Sequence, residues 1–290
     1  MADPTAWPIT DTGAEVHMFT DRNRNAKGLG SPTVDTEAEA MTSMLVVMAM
    51  EAEARPFLER IGARPLPLPA TLGSPGPSAP PLRAFGAEVG GCAVHVVVNG
   101  RHPRHGVDHI GTDAAALSTA VGILGWTPDL VVSAGTAGAR RLSSLRLGDV
   151  VVASGHFVHH DRRIPIDGFR QLGIGSFPAA DLDAVADGLG FATGVFSTGN
   201  SFGETAEDLA MLDASGAVVV DMESATVAMV AELYGVPVTG VRVVVNFIDD
   251  AEASIVEFET GLADAADVLA DALVAIVGRG VAAVPDQPRD

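Results

Sequence analysis

Cysteine is almost missing from this chain: Cys92 stands alone among 290 residues. A lone thiol excludes an internal disulfide framework and a zinc cluster of Cys ligands, and it agrees with a reducing cytoplasm. Its plainest reading is a small buried apolar side chain. Basic residues are scarce as well, 18 Lys and Arg against 37 Asp and Glu, for a formal net charge of -19. Such a surface repels phosphate backbones and anionic lipids, so neither nucleic acid nor a membrane is expected as a partner. Long hydrophobic runs are missing too. Ala217 to Val220 and Val243 to Val245 fall far short of the ~20 residues a membrane helix needs. The N-terminus shows neither the pattern of a secretory signal nor the Arg-rich, acid-poor character of a transit peptide. No Walker or GxGxxG sequence occurs, and no GxSxG elbow supports a serine hydrolase.

What is present is apolar content of 47%, enough to fill a substantial core. Residues 1–42 are expected to be a poorly ordered extension, 43–280 a single domain, and 281–290 a tail. Within the domain, 65–82 are crowded with Pro, Gly and Ser and predict a surface loop. Elsewhere β-rich and helical patterns alternate. "MLVVMAM", "CAVHVVVNG", "PDLVVSAG", "GDVVVAS", "ATGVFSTG", "GAVVV" and "VPVTGVRVVVN" read as strands. "EAEARPFLERIG", "DHIGTDAAALSTAVGIL", "DLDAVADGL", "MESATVAMVAELYG" and "SIVEFETGLADAADVLADALVAIVG" read as helices. Strands alternating with helices predict an α/β layer sandwich around a mainly parallel sheet, with the ligand site outside the C-terminal strand ends.

Polar residues at those ends are the site candidates: Glu51 and Glu53, Thr136, Asn200 to Phe202, Asp221 and Glu223, and Asn246. Each also has a structural explanation. Glu51 and Glu53 favour the positive end of a helix, Asp221 suits an N-cap, and residues 135–138 suit a tight turn. The His156, His159 and His160 group in "HFVHHD" invites a metal reading. His156 and His160 share a face only in a helix, however, and this segment follows a strand, so no metal is expected.

"MAMEAEA", "GVDHIGT", "AGTAGA", "HDRRIPI", "STGNSF" and "VDMESATVA", in this order, resemble the 5'-methylthioadenosine/S-adenosylhomocysteine nucleosidases, particularly the plant-type branch, within the purine nucleoside phosphorylase and nucleosidase superfamily. The resemblance runs from about Met44 to the last helix. It implies a three-layer α/β/α sandwich with a mixed twisted sheet, a homodimer, a small-molecule nucleoside substrate and no cofactor. By the same resemblance, Glu53 activates the attacking water and Glu223 accepts hydrogen bonds from the ribose hydroxyls. Met222 packs on the sugar, Phe202 stacks on the purine, the backbone near Phe202 and Gly203 reads the base, and Thr136 and Ala137 line the floor. His160 and Asp161 open a loop near the site and the subunit interface, and His102, His105 and His109 lie near the substrate without a metal.

Hydrolase and phosphorylase members share this scaffold. The hexameric phosphorylases carry a Gly-Asp-Pro turn after the first strand and an Arg at the position of Ser133. This chain has Met50 to Glu53 and Ser133 there, which favours water as the nucleophile. Asn246 departs from the family pattern, where an Asp protonates the leaving adenine. An amide donates no such proton at neutral pH. Three readings of Asn246 follow: a 6-oxopurine or modified substrate, a proton supplied through water by Asp249 or Asp250, or a nucleoside-binding protein with weakened catalysis.

Overall fold

The computed structural model describes residues 42–69, 81–249 and 251–279. Residues 1–41 of the extension expected over 1–42, most of the Pro-rich loop, the C-terminal tail and Asp250 lie outside them. Strand β1 (Ser43–Met48) shows how the layers arise. Successive side chains in a strand point to opposite faces. Met44, Val46 and Met48 therefore join one core while Leu45 and Val47 join the other. Helices α1 (Glu51–Arg60), α4 (Asp183–Leu189) and α7 (Ala251–Gly278) cover the first face, contributing Phe57, Ala186, Leu269 and Leu273. Helices α2 (Thr112–Trp126) and α6 (Ser224–Tyr234) cover the second with Ala115, Ile123, Ala225 and Ala228. The small residues of α2 and α6 let those helices lie close to the sheet. This is the expected α/β/α sandwich.

Among the described residues the sheet has ten strands and is mixed. Parallel pairings join β1 to β4 (Cys92–Val98) and to β5 (Leu130–Ala139), and β5 to β10 (Val238–Phe247). β6 (Val150–His159) runs parallel to β8 (Ala192–Thr198), and β8 to β9 (Ala217–Asp221). β9 meets β5, and β6 meets β10, in antiparallel fashion, which closes β5, β9, β8, β6 and β10 into a ring. The open edge is β3 (Arg83–Val89) and β2 (Arg64–Leu66), and β7 (Phe177–Pro178) pairs with β6. Two short helices, α3 (Phe169–Ile174) and α5 (Ala206–Ser215), complete the elements among the described residues.

Several boundaries differ from expectation. Pro65 and Leu66 lie in β2 rather than in the surface loop, since an outermost strand tolerates the missing proline donor. The helix expected from Asp108 starts at Thr112, because Asp108 is held in a bridge with Arg101. Residues 135–138 form no turn. They continue β5, paired with β10 and β9, so ladder hydrogen bonds override the local turn preference of the glycines. Those glycines serve close approach: a Cβ at Gly138 would meet Ile248 Cγ2 at 2.5 Å, and one at Gly135 would lie 3.2 Å from Glu53 Oε1.

Candidate active site

The C-terminal ends of β1, β5, β8, β9 and β10 open onto one cavity of about 340 Å³. Glu53, Thr136, Ala137, Phe202, Gly203, Met222, Glu223 and Asn246 all line it. The expected site residues, drawn from stretches up to 193 positions apart, thus come together in one place (Glu53 to Asn246). The volume suits a small organic molecule.

Glu53 projects from the first turn of α1 and is almost completely buried. Its Oε1 accepts from the Thr136 backbone N–H and from Thr136 Oγ1, both at 2.7 Å. Burial raises its pKa, and the Thr136 hydrogen bonds and the Arg242 charge only partly offset that rise. A carboxylate tuned upward is a better proton acceptor near neutral pH.

Glu223 occupies the N-cap position of α6, at φ -135° and ψ -40°, yet its side chain does not cap the helix. It reaches the Gly111 N–H instead, with Oε1 accepting at 2.8 Å. The capping falls to Asp221, as expected for that residue: its Oδ1 accepts from the N–H groups of Glu223 and Ser224, both at 3.1 Å. Burial, followed by the Asp221 charge, pushes the Glu223 pKa up to about 7.

Behind these groups lies a pair invisible to strand-end reasoning. Arg242 is fully buried, 2.9 Å from Asp221 Oδ2, and donates to the Ser133 carbonyl and hydroxyl at 2.8 and 3.0 Å. Burial works against ionising Asp221, but Arg242 and the hydrogen bonds from Ser224 and Thr198 outweigh it and hold that pKa low. The sequence signal was available: one Arg within the apolar run "GVRVVVN". Arg242→Met should destabilise the protein by about 3–5 kcal/mol in chemical denaturation, because it strands the Asp221 charge. A loss below about 1 kcal/mol would show that the pair is dispensable.

A bulge in β10 between Val244 and Asn246 places Asn246 opposite Gly138 in β5. Bulges re-aim side chains in this way. Asn246 Nδ2 donates to Ser254 Oγ at 2.7 Å, a partner contributed by the first turn of α7, which begins three residues earlier than expected. Because a hydroxyl both donates and accepts, either end of the amide can turn to the cavity. Asp249 does not line the cavity. Its two oxygens accept from Arg140 Nε at 3.1 Å and the Arg141 N–H at 2.6 Å, so this candidate proton source is already engaged.

Phe202 is 53% exposed and meets Phe258 edge-to-face at 5.8 Å, leaving ring area open to the cavity. Its loop is tied down through Asn200, whose N–H donates to Asp161 and whose Oδ1 accepts from Thr112 N and Oγ1. His160 bonds Ser197, in the buried interior, at 3.0 Å. Among the described residues no group of three or more His, Cys, Asp or Glu could hold a metal ion. His156 and His159 lie within a strand, not a helix.

One property of the lining decides among chemistries. Glu53, Glu204, Asp221, Glu223 and Glu259 contribute carboxyls, whereas among the described residues that line the cavity none is Lys, Arg or His. Ser133, at the position of the phosphorylase Arg, is buried against Arg242. An oxyanion entering this cavity meets several carboxyl side chains, whereas a cationic sugar-like transition state is stabilised by those that are ionised.

A family model described as the phosphorylase superfamily matches residues 43–278, so the chain belongs to that superfamily. Within it, the chain is 33% identical over 230 residues to a 5'-methylthioadenosine nucleosidase of Arabidopsis thaliana, covering 78% of this chain and 84% of the relative. It is 30% identical over 244 residues to an Arabidopsis 5'-methylthioadenosine/S-adenosylhomocysteine nucleosidase, covering 83% and 92%. The apo structure of Arabidopsis 5'-methylthioadenosine nucleosidase superposes with a TM-score of 0.78 at 29% identity, over 86% of this chain and 98% of that one.

Proposed function

We propose that the protein hydrolyses the N-glycosidic bond of a purine nucleoside of the 5'-methylthioadenosine/S-adenosylhomocysteine type, releasing free base and a ribose derivative. The observation that carries this reading is a cavity lined, among the described residues, by five carboxyl side chains and no Lys, Arg or His. Glu53 takes a proton from water and, as a carboxylate, stabilises positive charge developing at C1'. Glu223 holds the ribose hydroxyls, a grip that strengthens as the ring becomes cationic. Met222 packs on the sugar above the floor of Thr136 and Ala137, Phe202 stacks on the base, and the backbone at Gly203 reads its edge. Asn246 supplies a hydrogen bond to the base but no proton. Water is the only co-reactant, so no cofactor takes part.

A 6-oxopurine base is a second reading, favoured by the Asn246 amide, which can turn its N–H groups toward an exocyclic oxygen. We read residues 43–280 as one catalytic domain acting as a cytoplasmic homodimer. Exposed Leu117 and Leu124, seven residues apart on α2, support the dimer by offering an apolar stripe. No helix among the described residues is long and apolar enough to cross a membrane. The test is to incubate the protein with methylthioadenosine, S-adenosylhomocysteine, adenosine, inosine and guanosine and to identify the released base. Tight binding without any released base would replace the enzyme with a nucleoside-binding protein.

The Glu223 environment gives a pH prediction. With its folded pKa raised from 4.5 to about 7, Glu223 is protonated in the folded state and ionised in the unfolded chain between those values. The free protein therefore loses stability as pH rises through that window. Glu223→Gln cannot ionise, so its stability relative to wild type should climb by about 2 kcal/mol from pH 4.5 to 8, after discounting for partial exposure to the cavity. Parallel denaturation curves at both pH values would show that Glu223 is not held neutral.

A further inference from the structure

A departing purine carries away the electron pair of the broken bond and needs a proton, yet the residue at position 246 has none to give. Among the remaining acids of the cavity, Glu53 is fixed beneath Thr136, Glu223 is bonded to Gly111, and Asp221 is paired with Arg242. Glu259 is exposed on α7. Glu204 remains. It lies two residues after Phe202 in the loop between β8 and α5, half-buried in the cavity wall.

Its surroundings leave the carboxyl unneutralised. Arg140, following β5, is bonded to Asp213 at 2.9 Å and to Asp249 at 3.1 Å. Asp208, in the first turn of α5, is bonded to Arg163 and to Thr205. Among the described residues Glu204 makes no ion pair with either arginine. Burial, with added repulsion from Asp208 and Asp249, outweighs the hydrogen bond from its own backbone N–H and the attraction of Arg140, and pushes its pKa up to about 7. Near neutral pH the group is thus present in both protonation states, the condition that suits a general acid.

Resting on the nucleosidase reading, we propose that Glu204 is the proton donor to the departing base, taking the role that Asn246 cannot fill. As the bond from C1' to the purine breaks, its electron pair passes to the base and the Glu204 carboxylic acid delivers its proton to a ring nitrogen. Water adds to C1' and loses its proton to Glu53. Solvent then reprotonates Glu204 and carries off the proton from Glu53. Asn246 and Phe202 hold the base while this happens.

The test compares wild type with Glu204→Gln in the full-length protein, on methylthioadenosine and on 4-nitrophenyl riboside, whose leaving group departs without protonation. In wild type, kcat for the purine should fall as pH rises through about 7, because only the protonated acid donates. Glu204→Gln should lower purine kcat by about 100-fold or more, remove that basic limb, leave KM within a few-fold, and retain cleavage of the nitrophenyl riboside. Adding Asn246→Asp to Glu204→Gln should restore purine release. Unchanged purine kcat and an unchanged basic limb in Glu204→Gln would overturn the proposal. A change confined to KM or base preference would make Glu204 a base-reading contact and overturn it equally. If wild type releases no base from any nucleoside, the nucleosidase reading itself fails and this proposal falls with it.

Discussion

Glu53→Gln should reduce base release by about 100- to 10,000-fold while leaving nucleoside affinity within a few-fold. The substitution keeps the side-chain volume and an oxygen that can still accept from Thr136 N and Oγ1, both at 2.7 Å in the wild type. On the proposed mechanism, what it removes is the capacity to accept a proton from water and the negative charge below the sugar. The variant should also fold well, because it replaces a buried carboxylate, whose ionisation burial opposes, with a neutral amide. Single-turnover rates and direct titration with nucleoside separate the two effects. A rate within tenfold of wild type would remove Glu53 from the chemistry.

Asn246→Asp should act in the opposite direction, raising adenine release from methylthioadenosine by about 100-fold, the low end of the range for general acid catalysis. The low end is expected because Glu204 already supplies part of that function. The new carboxyl would inherit the Ser254 contact, 2.7 Å away in the wild type, and a buried position opposite Gly138. Burial among the acids of this cavity favours its protonated form, the one that donates. Release of hypoxanthine from inosine should gain less, because an amide already complements an exocyclic oxygen. If adenine release does not increase, position 246 is not where the leaving-base proton enters, and the amide marks a different substrate.

Much of this site was legible because parallel sheets announce themselves. Runs such as "LVVMAM" and "VRVVVN" end in polar residues, and the α/β architecture brings such ends together, so Glu53, Thr136, Phe202, Glu223 and Asn246 converge as expected. The family motifs add what each residue does elsewhere. What escaped depends on long-range geometry. Gly135 and Gly138 look like a turn by local preference and are strand by pairing. Ser254 becomes the partner of Asn246 only because α7 starts at Ala251. Asp221 and Arg242 lie on different strands, with no spacing rule to link them. The α5 helix, by contrast, had a readable start: Thr205 Oγ1 accepts the Asp208 N–H, and Asp208 returns the contact to Thr205 N, a capping box. Its short, weakly patterned sequence concealed it.

The proposed mechanism takes water rather than phosphate as the nucleophile, in keeping with the five carboxyl side chains among the described residues that line the cavity, and sugar-product analysis tests that claim most directly. The protein is incubated with its nucleoside in phosphate-free buffer and again in phosphate, and the sugar product is identified in each. The account predicts the free ribose derivative at the same rate in both. A ribose 1-phosphate product formed only when phosphate is present would contradict it.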